Sequence, residues 1–322
     1  AGEQGRRDEA ELIAAATEAG ILLAGPNGQG LVSTPVSLCA QMVAPYPPAG
    51  CVAIASQSGN LTSVFMNFAV QTGVGISRAV SVGNGSVVSV LDYLEYFAAD
   101  EASSVSLVYM ESVPEGRAFI ERARAVTSCQ PFVALKGGVS SEGQRAAASH
   151  TGSLATDDAV FDAACRQAGI RRVASVEEAF ETAATFATQP LPGGPNVVVV
   201  TTVGGIGVLT ADAIAETDLR LVPLADDLVT QIDALLPPRW SRNNPVDTAA
   251  GETRDTVPDL LELLARHESV DSIIFLGIGI QSNQGGMMEM GDFYPGYGLE
   301  RIAGFHQRQD ARYAEVAARI SG

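Results

Sequence analysis

The stretch AIASQSGNLTSVF, residues 53–65, joins a short apolar run to a loop of small residues and then to a segment with helical spacing. A second stretch, VVVTTVGGIGVLTADA at residues 198–213, has the same order of strand, loop and helix. Apolar strands that alternate with helices are typical of a parallel sheet covered on both faces. The two stretches therefore predict two copies of a doubly wound α/β unit, each opened by one of these loops.

Two connectors rich in proline and glycine divide the chain around these units. PYPPAG occupies residues 45–50 and QPLPGGP occupies residues 189–195. Such clusters interrupt regular elements and mark boundaries. We therefore expect three parts, at residues 1–45, 46–190 and 191–322.

The first of these parts contains too few elements for a domain. An Ala-rich helix is predicted over residues 8–19, with Gly20 as its C-cap. A short strand is predicted at Ile21–Ala24, followed by a loop. Because the chain also begins without Met and stops just after a helical pattern, we expect it to be a piece of a longer protein.

Composition excludes several classes of function. The chain has 322 residues and a formal net charge of −17, which would repel a phosphate backbone, so we expect no nucleic-acid partner. No apolar run approaches the ~20 residues that a membrane span needs, and no secretion signal opens the chain. The four cysteines lack a C-x-x-C spacing and are expected to be free thiols. We therefore expect a cytoplasmic protein without a membrane partner.

The small-residue loops are candidate anion sites. Glycine allows close approach to the backbone, and the free N–H groups at a helix N-terminus favour phosphate. A tight turn without a ligand is the alternative for a single loop, whereas two such loops favour phosphate binding. Neither loop is a Walker A motif or a full dinucleotide fingerprint, so an NAD-dependent dehydrogenase is the weaker hypothesis. The candidate phosphate-binding residues are Ser56, Ser58, Gly59, Gly204, Gly205 and Gly207.

His150 differs from the other two histidines. It lies in residues 136–153, which are expected to form an open, mobile loop after the strand Phe132–Leu135. His267 and His306 have polar helical surroundings typical of the surface. No further metal ligands lie near His150, which disfavours a metal site. A neutral imidazole is a competent nucleophile or base near neutral pH, although a histidine that merely caps a loop is equally compatible with the residues.

The run GQRAAASHTGSLATDDAVFDAACRQAGI, residues 143–170, resembles the phosphohistidine segment of the NDP-forming acyl-CoA synthetases, relatives of the succinyl-CoA synthetase α subunit. Further motifs resemble that family in the same order: SQSGNL, VGNGSVVSVLDYLEYFAAD, TTVGGIGVLTADA and NNPVDTAAG, at residues 56–61, 82–100, 201–213 and 243–251. The resemblance implies two flavodoxin-like, succinyl-CoA synthetase-like domains. It also implies that residues 1–45 are the remnant of a Rossmann CoA-binding domain.

The resemblance also implies roles for particular residues. His150 would be phosphorylated transiently, and Glu111 would pair with its ring, with a solvated carboxylate at a strand end as the alternative. The helices that start at residues 58–59 and 204–207 would point their N-termini at the phosphoryl group. Cations and a hydroxyl flanking the histidine would neutralise phosphate charge, although a surface position is equally compatible with them: Lys136, Arg145 and Ser149. The motif at residues 244–247 is expected to be a turn fixed by proline and receives no chemistry.

The family's reaction joins an acid to CoA at the expense of ATP, through an acyl phosphate and a phosphohistidine. ATP or ADP, CoA and Mg²⁺ are therefore implied for a complete enzyme. An ATP-grasp domain or subunit and a CoA-binding domain would be its partners, a small carboxylic acid or acyl-CoA its substrate, and a homo-oligomer its expected assembly. The alternative is a regulatory module of the same fold that binds a nucleotide or acyl-CoA without catalysis.

Overall fold

The computed structural model describes residues 2–42, 45–113, 116–151, 156–249, 256–279, 282–283, 287 and 299–321, with the backbone alone at 148–151, 299–303 and 321. The chain divides into two compact units, Ala1–Gln189 (unit 1) and Pro190–Gly322 (unit 2). Among the described helices, none is long and apolar enough to cross a membrane.

Unit 1 is built on one sheet of seven strands. The strands are β1 Gly30–Ser33, β2 Leu38–Gln41, β3 Ala49–Ser56, β4 Ile76–Ser81, β5 Val105–Met110, β6 Phe132–Lys136 and β7 Arg171–Val173. The helices are α1 Gly2–Glu18, α2 Gly59–Thr72, α3 Val90–Ala99, α4 Gly116–Thr127, α5 Ser141–Thr151, α6 Asp158–Ala168 and α7 Val176–Thr188. The predicted alternation of strands and helices is confirmed from β3 to α7.

The order of strands in this sheet is β2-β1-β4-β3-β5-β6-β7. The five strands from β4 to β7 pair in parallel, whereas β1 pairs antiparallel with both β2 and β4. The parallel part has the flavodoxin-like order, whose switch point lies between β3 and β5, where the following loops diverge to opposite faces. Ligands of such sheets bind outside the carboxyl ends of the strands at that point.

Helices cover both faces of the sheet, as the continuous apolar strands predicted. Phe97, Phe119 and Phe161 pack on one face, from α3, α4 and α6. Phe65 and Phe180 pack on the other face, from α2 and α7. Each of these five rings is buried, so the core fixes the positions of the strand ends that carry the candidate site.

The beginning of the chain differs from the prediction. The strand predicted at Ile21–Ala24 is wrong: these residues have no regular structure, and Leu22 is 83% exposed. An apolar run forms a strand only beside a partner strand, and the described residues provide none there. The helix predicted over residues 8–19 is confirmed as α1, and Gly20, with φ 66°, ends it in a Schellman motif through bonds to Thr17 and from Ile21 to Ala16. The Rossmann remnant is not confirmed, because residues 30–41 form strands of unit 1's own sheet.

Unit 2 is a smaller parallel sheet with β8 at its centre. Its strands are β8 Asn196–Thr201, β9 Arg220–Leu221, β10 Val246–Asp247 and β11 Ser272–Leu276, and its helices are α8 Gly204–Ala215, α9 Asp226–Leu235, α10 Thr256–Ala265 and α11 Leu299–Ser321. β11 pairs with β8 along its length, while β9 pairs with the beginning of β8 and β10 with its end. The predicted second α/β block is confirmed.

The Asn244 side chain forms hydrogen bonds with the backbone of β8, between the part of β8 that pairs with β9 and the part that pairs with β10. The residue is buried, its amide oxygen accepts from the N–H of Val199 at 2.9 Å, and its amide nitrogen donates to the carbonyls of Val197 and Val222 at 2.8 Å each. Asn244 precedes Pro245 through a cis peptide bond. The turn predicted at residues 244–247 therefore also holds the sheet together through its asparagine.

Candidate functional site

Glu111 follows β5 at the switch point and is 8% exposed. Its Oε1 accepts a hydrogen bond from the Tyr109 hydroxyl at 3.1 Å. Its Oε2 is buried and has no hydrogen-bond partner among the residues that the structure describes. Leaving a buried carboxylate oxygen unpaired costs about 1–3 kcal/mol or more, so such an atom marks a place where a partner binds. The alternative that Glu111 is a solvated strand-end carboxylate is wrong.

Among the described side chains, only Tyr109 donates a hydrogen bond to this carboxylate. Burial, followed by the charge of Glu111 and the hydrogen bond to it, raises the pKa of the Tyr109 hydroxyl well above its ordinary value. The hydroxyl therefore remains a donor at any physiological pH. Gly137 lies directly against it, since a Cβ atom at residue 137 would overlap the hydroxyl oxygen.

Gln57 fixes the backbone on which Glu111 stands. Its Oε1 accepts from the N–H groups of Glu111 at 2.6 Å and Ser112 at 3.4 Å, and its own N–H donates to the carbonyl of Tyr109 at 3.1 Å. These bonds join the loop after β3 to the end of β5, which is the switch point of the sheet. The position of Glu111 is thus set by a residue that lies far from it in sequence.

The N-terminus of α2 follows the loop at residues 56–58, at the same end of the sheet as Glu111. Ser58 is its N-cap and accepts from the N–H of Leu61 at 3.4 Å. The Ser56 hydroxyl donates to the carbonyl of Ser58 at 2.7 Å and accepts from its N–H at 3.1 Å. Both predicted serines therefore shape the turn with their hydroxyls, and the N–H groups of the first helical turn remain the element suited to an anion.

Gln29 covers the first turn of α2, which sequence reasoning missed. Its amide nitrogen donates to the Asn60 side chain at 3.0 Å, and its amide oxygen accepts from the Ser63 hydroxyl at 3.3 Å. A Cβ atom at Gly59 would overlap this side chain. Because Gly59 has no side chain, the Gln29 side chain can lie directly against the helix N-terminus.

Unit 2 repeats the same turn at the start of α8. The Thr201 hydroxyl donates to the carbonyl of Val203 at 2.8 Å and accepts from its N–H at 2.9 Å, as Ser56 does with Ser58, the N-cap of α2. Val203 is the N-cap and makes no side-chain capping bond. A Cβ atom at Gly204 would overlap the carboxylate of Asp247. The N-terminus of α8 therefore already faces a negative charge.

The other two predicted glycines of unit 2 differ in their surroundings. Gly205 is open, with no described atom within 4 Å of an added Cβ, whereas Gly207 packs closely against Thr201. Close packing at Gly207 brings the first turn of α8 down onto the end of β8.

The segment that carries His150 is largely helical, so the predicted open loop is wrong for residues 141–151, which form α5. The alanines around residue 147 are strong helix formers, and this preference decides the backbone. The side chains of His150 and Ser149 lie outside the described residues. The two ends of the segment are fixed beside Glu111: Gly137 donates to the carbonyl of Met110 at 2.9 Å, and Val113 donates to the Thr156 hydroxyl at 2.8 Å.

The two cations that flank the segment have different surroundings. Lys136 is buried, and its ammonium donates to the carbonyls of Gly137 and Gly138 at 3.0 Å each. Burial lowers the pKa of Lys136. Arg145 is exposed on α5 and pairs with Glu142 at 3.1 Å. Of these two cations, only Arg145 is exposed to solvent and accessible to a phosphate.

Other titratable groups form no second centre in the part of the chain that the structure describes. No group of three or more His, Cys, Asp and Glu side chains there is arranged to hold a metal ion. His267 is partly buried rather than fully solvated, with Nδ1 2.7 Å from the Ser269 hydroxyl and Nε2 3.2 Å from the Asp227 carboxylate.

Two domain families match the chain. The family described as "Succinyl-CoA ligase like flavodoxin domain" matches residues 49–186, and the family described as "Ligase-CoA domain" matches residues 197–279. The matches fall on unit 1 and unit 2 respectively, and each includes one of the small-residue loops that open a helix.

Characterised proteins and a solved structure are similar to the chain. The alpha subunit of acetate–CoA ligase [ADP-forming] II from Pyrococcus furiosus is 37% identical over 273 residues, 85% of this chain and 59% of that subunit. The 4-hydroxybutyrate–CoA ligase [ADP-forming] of Nitrosopumilus maritimus is 31% identical over 276 residues, 84% of this chain and 39% of that enzyme. The chain thus spans about half the length of the curated relatives it matches.

The structure of dinucleotide forming acetyl-coenzyme A synthetase 1 from Candidatus Korarchaeum cryptofilum, in complex with phosphate and ADP, superposes with a TM-score of 0.79. Its sequence is 30% identical, and the match covers 97% of this chain and 73% of that one. The likeness therefore includes both units.

Proposed function

This chain belongs to the family of NDP-forming acyl-CoA synthetases, and we propose that it is the phosphoryl-carrying part of such an enzyme. The complete reaction would convert a carboxylic acid, CoA and ATP to acyl-CoA, ADP and phosphate. In the direction of ATP synthesis, phosphate displaces CoA from the acyl group, and the acyl phosphate passes its phosphoryl group to His150. ADP then takes this group from the histidine.

The unpartnered Oε2 of Glu111 is the observation that supports this proposal most strongly. A ring N–H of His150 would donate to this oxygen, which leaves the other ring nitrogen as the nucleophile. As that nitrogen attacks phosphorus, the P–O bond to the acyl carboxylate breaks and the carboxylate leaves. The developing positive charge on the imidazole would be stabilised by the carboxylate of Glu111.

Each of the two helix N-termini would offer N–H groups to phosphate oxygens. An acidic protein cannot attract phosphate through its overall field, so local N–H groups must do so. In unit 1 the first turn of α2 presents them, and a phosphate there would displace the Gln29 side chain that lies against Gly59. In unit 2 the carboxylate of Asp247 lies against Gly204, so a phosphate there would displace that carboxylate or bind in protonated form.

The remaining parts of the reaction would come from partners. A CoA-binding domain would present the acyl-CoA, and an ATP-grasp domain or subunit would bind the nucleotide together with Mg²⁺. A cytoplasmic location and a homo-oligomeric assembly stay predictions.

Phosphorylation of the chain tests the proposal directly. Purified chain is incubated with γ-labelled ATP, Mg²⁺ and the ATP-grasp subunit of a related enzyme. We expect acid-labile, alkali-stable label on the chain, its loss in His150→Asn, and at least a tenfold slower rate in Glu111→Gln. His306→Asn is the matched control and should label like the parent. Label that survives in His150→Asn would refute the proposal, and binding of ADP or CoA without any label would favour the regulatory module.

A further inference from the structure

Lys136 is the one lysine of the chain and is more buried than any other charged side chain in an ion pair among the described residues, at 1% exposed. It ends β6 and lies 5.9 Å from the centre of the Phe161 ring, on the sheet face covered by α4 and α6. An ammonium group in such a place is stable only if nearby groups offset its loss of hydration.

Those groups belong to the two ends of the His150 segment, residues 137–157. At the start of the segment, Nζ donates to the carbonyls of Gly137 and Gly138. Just past its end, Nζ lies 3.8 Å from Oδ1 of Asp158, the first residue of α6. Two of the three N–H donors of the ammonium are therefore hydrogen-bonded to the carbonyls, and the carboxylate of Asp158 offsets its charge at a longer distance.

Arg172 completes the arrangement from β7. It pairs with the same Oδ1 of Asp158 at 2.7 Å, and its guanidinium lies 5.6 Å from the centre of the Phe161 ring. Asp158 is thus held by two cations that also contact the ring. The end of the segment is therefore tied to both β6 and β7.

We propose that Lys136 is a positioning residue that holds the two ends of the His150 segment together, rather than a ligand of the transferred phosphate. This link between the two ends is called the closure below. It joins the turn that leads into α5 to the first residue of α6. Gly138 in that turn has φ 70°, a backbone conformation that glycine adopts without strain and can easily leave. The hydrogen bonds from Lys136 therefore determine the direction in which the chain leaves β6.

The consequence for phosphoryl transfer rests on the proposed function. A segment that delivers a group between two sites needs fixed points at its ends, because the fixed points set the volume that the histidine can explore. Releasing one end enlarges that volume and lowers the fraction of time that His150 spends against Glu111. The expected loss is in the rate of transfer and not in the affinity for the partner.

Hydrogen–deuterium exchange of the purified chain tests the closure without any phosphorylation. Lys136→Met keeps the length of the side chain and removes its charge, while Asp158 keeps its pairing with Arg172. We expect exchange in residues 137–151 to become on the order of tenfold faster, with β3 and α2 unchanged. Lys136→Arg should restore much of the protection. Arg117→Ala, which removes an exposed cation of α4, should leave exchange in the segment unchanged.

The outcomes separate the closure from general stability. Unchanged exchange in residues 137–151 of Lys136→Met would overturn the proposal. If that variant loosens all of unit 1, Asp158→Asn decides: faster exchange confined to residues 137–151 supports the closure, and unchanged exchange refutes it.

Single-turnover phosphorylation then links the closure to function. Lys136→Met should phosphorylate about tenfold more slowly at saturating partner subunit, with an unchanged half-saturating concentration, and Lys136→Arg should recover most of the rate. A loss of affinity with an unchanged rate would contradict the inference. Absence of label in the parent chain would instead refute the proposed function and leave the exchange result standing.

Discussion

Replacing Tyr109 by phenylalanine removes the side-chain hydrogen bond that the described residues donate to the carboxylate of Glu111. The ring stays in place, so the change is confined to the hydroxyl group. Oε1 of a residue that is 8% exposed then loses its partner among the described side chains. A hydrogen bond to a charged group contributes about 1.5–3 kcal/mol, so we expect the free energy of unfolding to fall by about 2 kcal/mol at pH 7.

Urea denaturation followed by circular dichroism measures this loss. With a slope of about 2 kcal/mol per molar urea, the midpoint of the first transition should move down by roughly 1 M. Tyr96→Phe is the matched control, since Tyr96 is 54% exposed, and its midpoint should stay with that of the parent.

Phosphorylation of His150 should suffer more than stability in Tyr109→Phe. With Oε1 released, the carboxylate rotates freely about its last bond, and Oε2 loses the orientation that the proposed pairing with His150 requires. We expect a rate at least tenfold lower at saturating ATP. A midpoint that does not move, together with a full rate of labelling, would show that this hydrogen bond neither stabilises nor orients Glu111.

Asn244→Ala should lower the free energy of unfolding by about 3 kcal/mol, measured by urea denaturation, because the N–H of Val199 and the carbonyls of Val197 and Val222 each lose a hydrogen bond. Gly137→Ala should cost about 2 kcal/mol in the same assay and slow phosphorylation, because the added Cβ displaces the Tyr109 hydroxyl. Cys165 should resist iodoacetamide at pH 8 in a mass-spectrometric time course, because burial raises the pKa of its thiol to about 12, whereas exposed Cys129 should react.

Controls for these three changes are available in the same chain. Asn243→Ala alters an exposed neighbour and should leave the urea midpoint unchanged. Gly116→Ala adds a Cβ into open space and should be neutral or stabilising. Equal rates of alkylation at Cys165 and Cys129 in the folded chain would contradict the burial of the first thiol.

The alternation of strands and helices could be predicted because it rests on local patterns. The apolar run before Gly59 and the run before Gly204 each indicate a buried strand that turns into a helix, and both are confirmed. The same rule failed at Ile21–Ala24, because an apolar run does not reveal whether a neighbouring strand exists. The open loop predicted at residues 141–151 was wrong for another reason: a run of small residues is compatible with an open loop and, when it is rich in alanine, with a helix.

The partners of Glu111 could not be predicted from sequence. Gln57 binds the backbone of Glu111 although it lies 54 positions earlier in the chain. Gly137, at the end of a third strand, packs against the Tyr109 hydroxyl that donates to Glu111. Nothing in the local sequence around Gln29 or Gln57 shows that a side-chain amide will bond to a strand end or cover a helix. Such contacts depend on the order of strands in the sheet, which topology rules narrow but spacing does not define.

The surroundings of Glu111 come from β3, β5 and β6, three neighbouring parallel strands joined by helices. Parallel pairing needs long crossover connections, so contacts of this kind form slowly compared with local helices. During synthesis, Glu111 leaves the ribosome before Gly137 does, and Gly137 can pack against the Tyr109 hydroxyl only after the end of β6 has emerged as well. The buried surroundings of Glu111 are therefore completed only once β6 has paired with β5.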